Sequence, residues 1–452
     1  MFIARLRSAL GLLLVAGVAM SAAACGDSDT PTASKDGKVT LVINGLPPAT
    51  EKATHERFLA NVAEFEKANP NIKIDAREGK MDPQTFPAKL AGGQLEDVFY
   101  VYFTDPASLI AKRQVSDISK YLKDFPITTQ LKPEVLRVFQ DDKGATYGLP
   151  YKNYSMGLLY NRELFSKAGL DPNSPPKTWA DVRAAAKKIT ALGGGTVGYG
   201  DYSKNNTGGW HFTTELYSLG GEMAVNNAGA WKAAFNSPQG KQVLQQLKDM
   251  RWTDNSMGQK QLLEWADLLQ QMGSGKLGMY LATADNIPTI VNQYKGKYET
   301  YGLGPIPDGK GTLGGGEGYM FKAGLSPEKI NAGLKWLTFW FTSAERYEAE
   351  NKWSSETDQP VGLPEPAIFT GAAAQTQAAA DKKYANVPQE NYAAFVAGMP
   401  TIPVKLEPPN AQQIYAALDV AMQKVLTDKN ADVDKLLSDA ETQANSILAS
   451  VK

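Results

Sequence analysis

The sequence predicts an α/β protein divided into two lobes, and three observations carry that reading. Short runs alternating with period two are followed by runs whose apolar residues fall three and four apart. This interleaving of strands and helices recurs in both halves of the chain. About 430 of the 452 residues remain once an N-terminal export segment is set aside, too many for one compact core. Hydrophobic residues at 43% and charged residues at 21% are the balance of a folded chain.

Taken in order, MFIARLRSAL carries Arg5 and Arg7 and no acid, Ala9 to Met20 is apolar, and Ser21 leads three alanines. A positive start, a short apolar run and small residues make residues 1–24 a secretory signal. The apolar run is shorter than the roughly 20 residues that span a bilayer. Cys25 follows, the only cysteine, and GDSDTPTASKDGK after it is small and polar, so residues 25–38 read as a flexible tether. KVTLVING alternates as a strand. THERFLANVAEFEKANP sets Phe58, Val62 and Phe65 on one helical face, with Asn69-Pro70 as its stop. NIKIDAR and DVFYVYF are further strands, so the layering is parallel α/β.

PPKTWADVRAAAKKI opens a second region, where Thr178 and Asp181 have capping-box spacing. Ser237-Pro238 and Ser326-Pro327 mark helix starts with proline at the first helical position. LLEWADLLQQMGSGKLGMYLA predicts a helix, a glycine turn and a strand alternating at Leu277, Met279 and Leu281; Trp179 and Trp265 fall in helical patterns and read as core. AGLKWLTFWFTSAERY is interrupted by Lys335 and reads as an amphipathic or buried helix. TGAAAQTQAAADKK is a surface helix or loop, and the chain from Ala411 onward is helical almost throughout.

Composition excludes several functions. With 47 basic and 48 acidic residues, neither nucleic acid nor an anionic membrane surface is an expected partner. Two histidines, His55 and His211, and one cysteine cannot supply the common zinc sites, so no metal and no cofactor is expected. No G-x-S-x-G, P-loop or G-x-G-x-x-G occurs, and GTLGGGEGYMF lacks the lysine and helix start of a phosphate cradle. Paired carboxylates for glycoside hydrolysis stay open, because the fold sets their separation.

Two resemblances then add to the residues. Ala22-Ala23-Ala24-Cys25 resembles the lipobox of bacterial lipoproteins, with Ala22 where that family prefers leucine. The resemblance implies cleavage before Cys25 and a diacylglycerol on its sulfur. An ordinary signal beside an incidental cysteine is the alternative, but lipidation accounts for an otherwise unpaired thiol. Two or three acyl chains would hold the protein at the membrane, at about 0.8 kcal/mol per buried methylene.

The stretches YGLPYKNYSMGLLYNRELFSKAGLD, PPKTWADVRAAAKKI, GKLGMYLATADNIPTI and GLGPIPDGKGTLGGGEGYMF together resemble extracellular solute-binding proteins of ATP-driven (ABC) importers, in the maltose-binding-like, sugar-carrying branch. The resemblance covers nearly the whole mature chain. It implies a periplasmic-binding-protein fold with a hinge and an interlobe ligand cleft, three crossovers, lobe 1 over 39–150 and 303–360, and lobe 2 over 151–302 and 361–452. It implies a monomer without enzymatic activity, anchored at the outer face of the cytoplasmic membrane, that closes on a sugar and docks on permease subunits. A carrier of a non-sugar solute, a secreted carbohydrate-active enzyme and a surface sensor are the rival readings.

Carried onto matching positions, the resemblance puts Tyr102, Thr104 and Asp105 after the DVFYVYF strand, and Lys152 and Asn153 at the first crossover. Trp210 and His211 precede LYSLGG, Asp285 and Asn286 stand where many relatives have tryptophan, and Glu317 and Tyr319 lie in GGGEGY. An aromatic face suits the C–H face of a sugar ring, and Asp, Glu, Asn and Lys suit its hydroxyls. Trp210 has a packing role as its alternative. Glu317 among glycines is the hardest to explain as packing.

Overall fold

The computed structural model describes residues 38–82, 85–227, 230–341 and 344–451. The signal segment, Cys25 and all of the tether but Lys38 lie outside these residues.

Among the described residues twelve strands form two main sheets and a hairpin. The first sheet holds β1 (Val39–Leu46), β2 (Ile72–Glu78), β3 (Val98–Tyr102) and β4 (Gly148–Ser155). The second begins with β5 (Gly157–Asn161) and β6 (Val197–Tyr199). A hairpin of β7 (Ala224–Asn227) and β8 (Ala230–Ala233) follows. Strands β9 (Leu277–Ala282) and β10 (Tyr301–Gly304) complete the second sheet, and β11 (Thr312–Phe321) and β12 (Val404–Lys405) return to the first.

The first sheet runs β12-β11-β3-β1-β2, with β4 on the other side of β11; the second runs β10-β5-β9-β6. As the strand–helix–strand pattern predicts, β1 is parallel to β2 and to β3. Between β1 and β2 the helix Lys52–Ala68 buries Phe58 and Phe65. Both rings meet Trp336 of the helix Pro327–Phe341, at 5.8 and 5.2 Å. The capping box at Thr178 and Asp181 forms in full, and Ser237 caps Pro238–Trp252. β9 departs from the expected alternation: all six of its residues are buried, because helices cover both faces of the strand. Trp265 also departs from the expected core role, being 41% exposed with its indole donating to Asn286.

Only Met156 separates β4 in the first sheet from β5 in the second, and a short segment joins β10 to β11 in the reverse direction. The packing shifts the expected lobe limits at three places. All of β4 through Ser155 pairs with β11, so the first lobe runs past residue 150. β10 pairs with β5, which keeps 303–304 in the second lobe. The helix Gly371–Tyr384, expected in lobe 2, packs Ala373 and Ala374 on the first-lobe core, and Thr370 donates its backbone N–H to Gln130 at 2.7 Å. An alanine-rich helix has no large side chains to declare which core it covers. The chain then crosses back, and Val387, Tyr392 and Phe395 join a second-lobe core.

The C-terminal helices Ala411–Thr427 and Val433–Leu448 also pack on the second lobe. Among the described residues no helix is long and apolar enough to cross a membrane.

Candidate functional site

Strand register builds the site. Glu317 on β11 is paired with Tyr102 on β3 and with Lys152 on β4, so three of the candidate side chains form one row across the sheet. One step nearer the second lobe, Gly315 pairs with Tyr154. A Cβ on Gly315 would lie 2.3 Å from the Tyr154 hydroxyl, so the missing side chain is what lets the phenol lie across β11.

From the second lobe, Trp210 on the helix Thr207–Ser218 meets Tyr154 edge-on at 6.1 Å. Asp419 holds the start of that helix, accepting the N–H groups of Asn206 and Gly209 at 2.9 Å each.

Two lysines are bound into the site. Lys80, just beyond β2, lies 3.4 Å from both oxygens of Glu317, whose side chain is only 12% exposed. Lys152 lies 2.8 Å from Glu365 and 3.6 Å from Asp285, the residue opening the helix Asn286–Tyr294. Its amine thus ties the first crossover to the second lobe.

Burial opposes the charge on Lys152, but Glu365 and Asp285 hold its amine above the ordinary lysine value. Burial would raise Asp285, yet Lys152, the Thr283 hydroxyl and Lys80 hold it below the usual range. Glu365 stays raised because burial outweighs Lys152.

A second pair of carboxylates has different company. Asp105 accepts the Tyr102 N–H at 3.1 Å, and burial pushes it up to about 7. Glu407 accepts the Tyr415 hydroxyl at 3.0 Å, and burial, with Asp105 adding to it, pushes it up to about 8. Burial raises the Tyr154 phenol well above its ordinary value, and the nearby charges of Glu407, Glu317 and Asp285 raise it further.

Strand register joins Tyr102, Glu317 and Lys152, an ion pair joins Lys152 to Asp285, Trp210 lies edge-on to Tyr154, and Thr104 donates to Asp105. Three expectations change. His211 is fully buried, bonded to Asp201 and stacked 4.0 Å from Tyr202, so it presents no edge to the cleft. Asn286 is 5% exposed and spends its amide on Trp265, Tyr280 and Thr283. Tyr319 is core, packed edge-on against Tyr100 and Tyr151. Asn153, beside Lys152 on β4, lines a cavity of about 510 Å³ with Phe103, Ile306, Glu365, Phe395 and Ile402, and a second hollow together with Lys152 and Glu365.

Four residues escaped the sequence reading: Lys80, Tyr154, Glu365 and Glu407. Period-two spacing from Lys152 could have found Tyr154. Pro364-Glu365-Pro366 and Glu407-Pro408-Pro409 hold acids in rigid backbone, a weaker signal.

Residues 51–347 match the family model of bacterial extracellular solute-binding proteins. The chain belongs to this family. This solute-binding protein is 28% identical over 404 residues to a Brucella abortus protein named only as a binding protein, spanning 85% of this chain and 88% of that one. It is 27% identical over 298 residues to the sn-glycerol-3-phosphate-binding periplasmic protein UgpB of Salmonella typhimurium, spanning 61% and 65%. Its fold matches an ABC transporter solute-binding protein of Thermotoga lettingae bound with α-D-tagatose. The TM-score is 0.73 at 22% identity, over 91% of this chain and 100% of that one. The solute-binding protein therefore has the two-lobed α/β periplasmic fold.

Proposed function

We propose that this protein captures a sugar or oligosaccharide between its lobes and hands it to the membrane subunits of an ABC-type importer. It works as a monomer without catalysing a reaction, held by acyl chains on Cys25 at the outer face of the cytoplasmic membrane. One observation supports a polyhydroxylated solute above the rest. The aromatic side chains of Trp210, Tyr154 and Tyr102 are flanked by carboxylates, while both lysines of the site are engaged by acids. Aromatic faces bury sugar C–H surface, and carboxylates accept from hydroxyls. A phosphate would instead face Glu317, Asp285 and Glu365, with both Lys80 and Lys152 engaged by acids among the described residues.

The test is thermal melting across a panel of mono- and oligosaccharides, with sn-glycerol 3-phosphate included. Ligand at 100 times its Kd stabilises the folded form by about 2.7 kcal/mol. A shift with at least one sugar, abolished by Trp210→Ala, is the expected result. A shift with glycerol phosphate alone refutes the sugar reading and leaves the family assignment standing.

A further inference from the structure

A hollow of about 540 Å³ adjoins the site, lined by Lys152 and Glu365 and by the helices Ala344–Glu356 and Gly371–Tyr384. Its volume falls among small-molecule pockets, which run from about 300 to 1,000 Å³. The helix Gly371–Tyr384 contributes Ala374, Gln377, Ala378 and Asp381, which at spacings of three and four share one helical face. Ala374 and Ala378 reach no further than a methyl group, so this face stands clear of Tyr151 and Lys152 on β4. The alanine bias of this helix is what keeps the hollow open.

The side chains converging there suit hydroxyl groups. Asp381 accepts the Tyr347 hydroxyl at 3.1 Å and the Asn351 amide at 2.8 Å, both on Oδ1, and Oδ2 takes no hydrogen bond among the described residues. Lys383, two residues on, pairs with Glu348 instead. Burial raises the Asp381 carboxyl above its ordinary value against both hydrogen bonds, and a further donor would offset that cost. Gln377 adds an amide that donates and accepts, and Tyr151 and Tyr347 add aromatic surface. Glu350, also in the lining, is held by Arg57 and Arg346 at 2.9 Å each. The lysine of the lining, Lys152, is engaged by Glu365 and Asp285, which disfavours an anionic occupant. By contrast, the cavity of about 510 Å³ that shares Asn153 and Glu365 is walled by apolar side chains such as Val135, Ile306 and Phe395, which give hydroxyls little to bond. Resting on the reading of a sugar held at the row of Tyr102, Glu317 and Lys152, we propose that the hollow is a second sugar subsite and the preferred solute an oligosaccharide. One ring lies against that row, and a neighbouring ring passes the Lys152–Glu365 pair to place its hydroxyls on Asp381, Asn351 and Gln377.

Calorimetry on the intact protein with three chain-length series tests this. The series are glucose, maltose and maltotriose; glucose, cellobiose and cellotriose; and mannose, mannobiose and mannotriose. The expected result is at least one series in which a di- or trisaccharide binds ten-fold or more tightly than its monosaccharide. Ala378→Trp fills the hollow from an exposed position and should bring that ratio toward one. Asp381→Asn keeps the shape, removes the charge and should lower the ratio several-fold; it decides alone if Ala378→Trp does not fold. A ratio unchanged in a folded Ala378→Trp protein, or in Asp381→Asn where that one decides, overturns the placement of the second ring. Monosaccharides that bind as tightly as their oligosaccharides overturn this inference and leave sugar capture intact. No binding by any member of any series overturns both.

Discussion

Replacing Gly315 by alanine tests how the cleft is built. The added Cβ would stand 2.3 Å from the Tyr154 hydroxyl and 2.5 Å from the ring carbon bearing it. Non-bonded carbon contacts settle near 3.5 Å, so the phenol must retreat by about 1 Å. β11 is held on both sides, by β3 and by β4, so the side chain yields rather than the strand. Tyr154 then leaves its edge-on contact with Trp210 and its place in the cleft.

Misplacing a recognition group by about 1 Å is expected to weaken sugar binding about 10- to 100-fold, or about 1.4–2.7 kcal/mol. The overpacking itself costs about 1–3 kcal/mol of stability, a melting shift of only a few degrees in a chain of this length. Calorimetry with the sugar giving the largest melting shift, run as a double-mutant cycle with Tyr154→Ala, separates the two effects. Once Tyr154 is gone, Gly315→Ala should add little further loss of affinity. Full additivity of the two substitutions, or wild-type affinity in Gly315→Ala alone, would refute the reasoning.

Three further outcomes are expected. Asp105 and Glu407 sit at about 7 and about 8 in the folded protein, above their ordinary values of 3.8 and 4.5. The folded state therefore binds more protons than the unfolded state across that window, and unliganded stability falls as pH rises from about 4 to about 8. Glu407→Gln should flatten this slope in urea titrations run at several pH values, and an unchanged slope would contradict the assignment. Cys25→Ser should release the protein to the soluble fraction with solute binding intact, whereas membrane retention equal to the parent would exclude the lipid anchor. Saturating solute should shrink the radius of gyration in solution scattering, because ligand drives closure only as far as it binds the closed form better. An identical profile with a bound solute would argue against a moving hinge.

Local chemistry was legible in the chain alone. The period-two runs of β1 to β3, the capping box at Thr178, the proline starts at Pro238 and Pro327 and the helix stop at Asn69-Pro70 each depend on neighbours within a few residues. These elements lie where pattern and capping place them. The family was legible too, because four ordered stretches carry it.

Tertiary structure decided which face each residue shows and which partner it meets. Sequence proximity put His211 beside Trp210 in the expected site, yet the helix turns His211 into the core against Asp201 and Tyr202 while Trp210 reaches Tyr154. Neighbouring residues on a helix diverge by about 100°, so adjacency in sequence says little about a shared site. The reverse holds for Lys152 with Glu365 and for Lys80 with Glu317, pairs more than 200 residues apart that only sheet register and crossovers bring together. Lobe membership of the alanine-rich helix Gly371–Tyr384 was equally beyond the sequence. Apolar pattern announces that a face must be covered, while the covering surface is chosen by the packing of the whole chain.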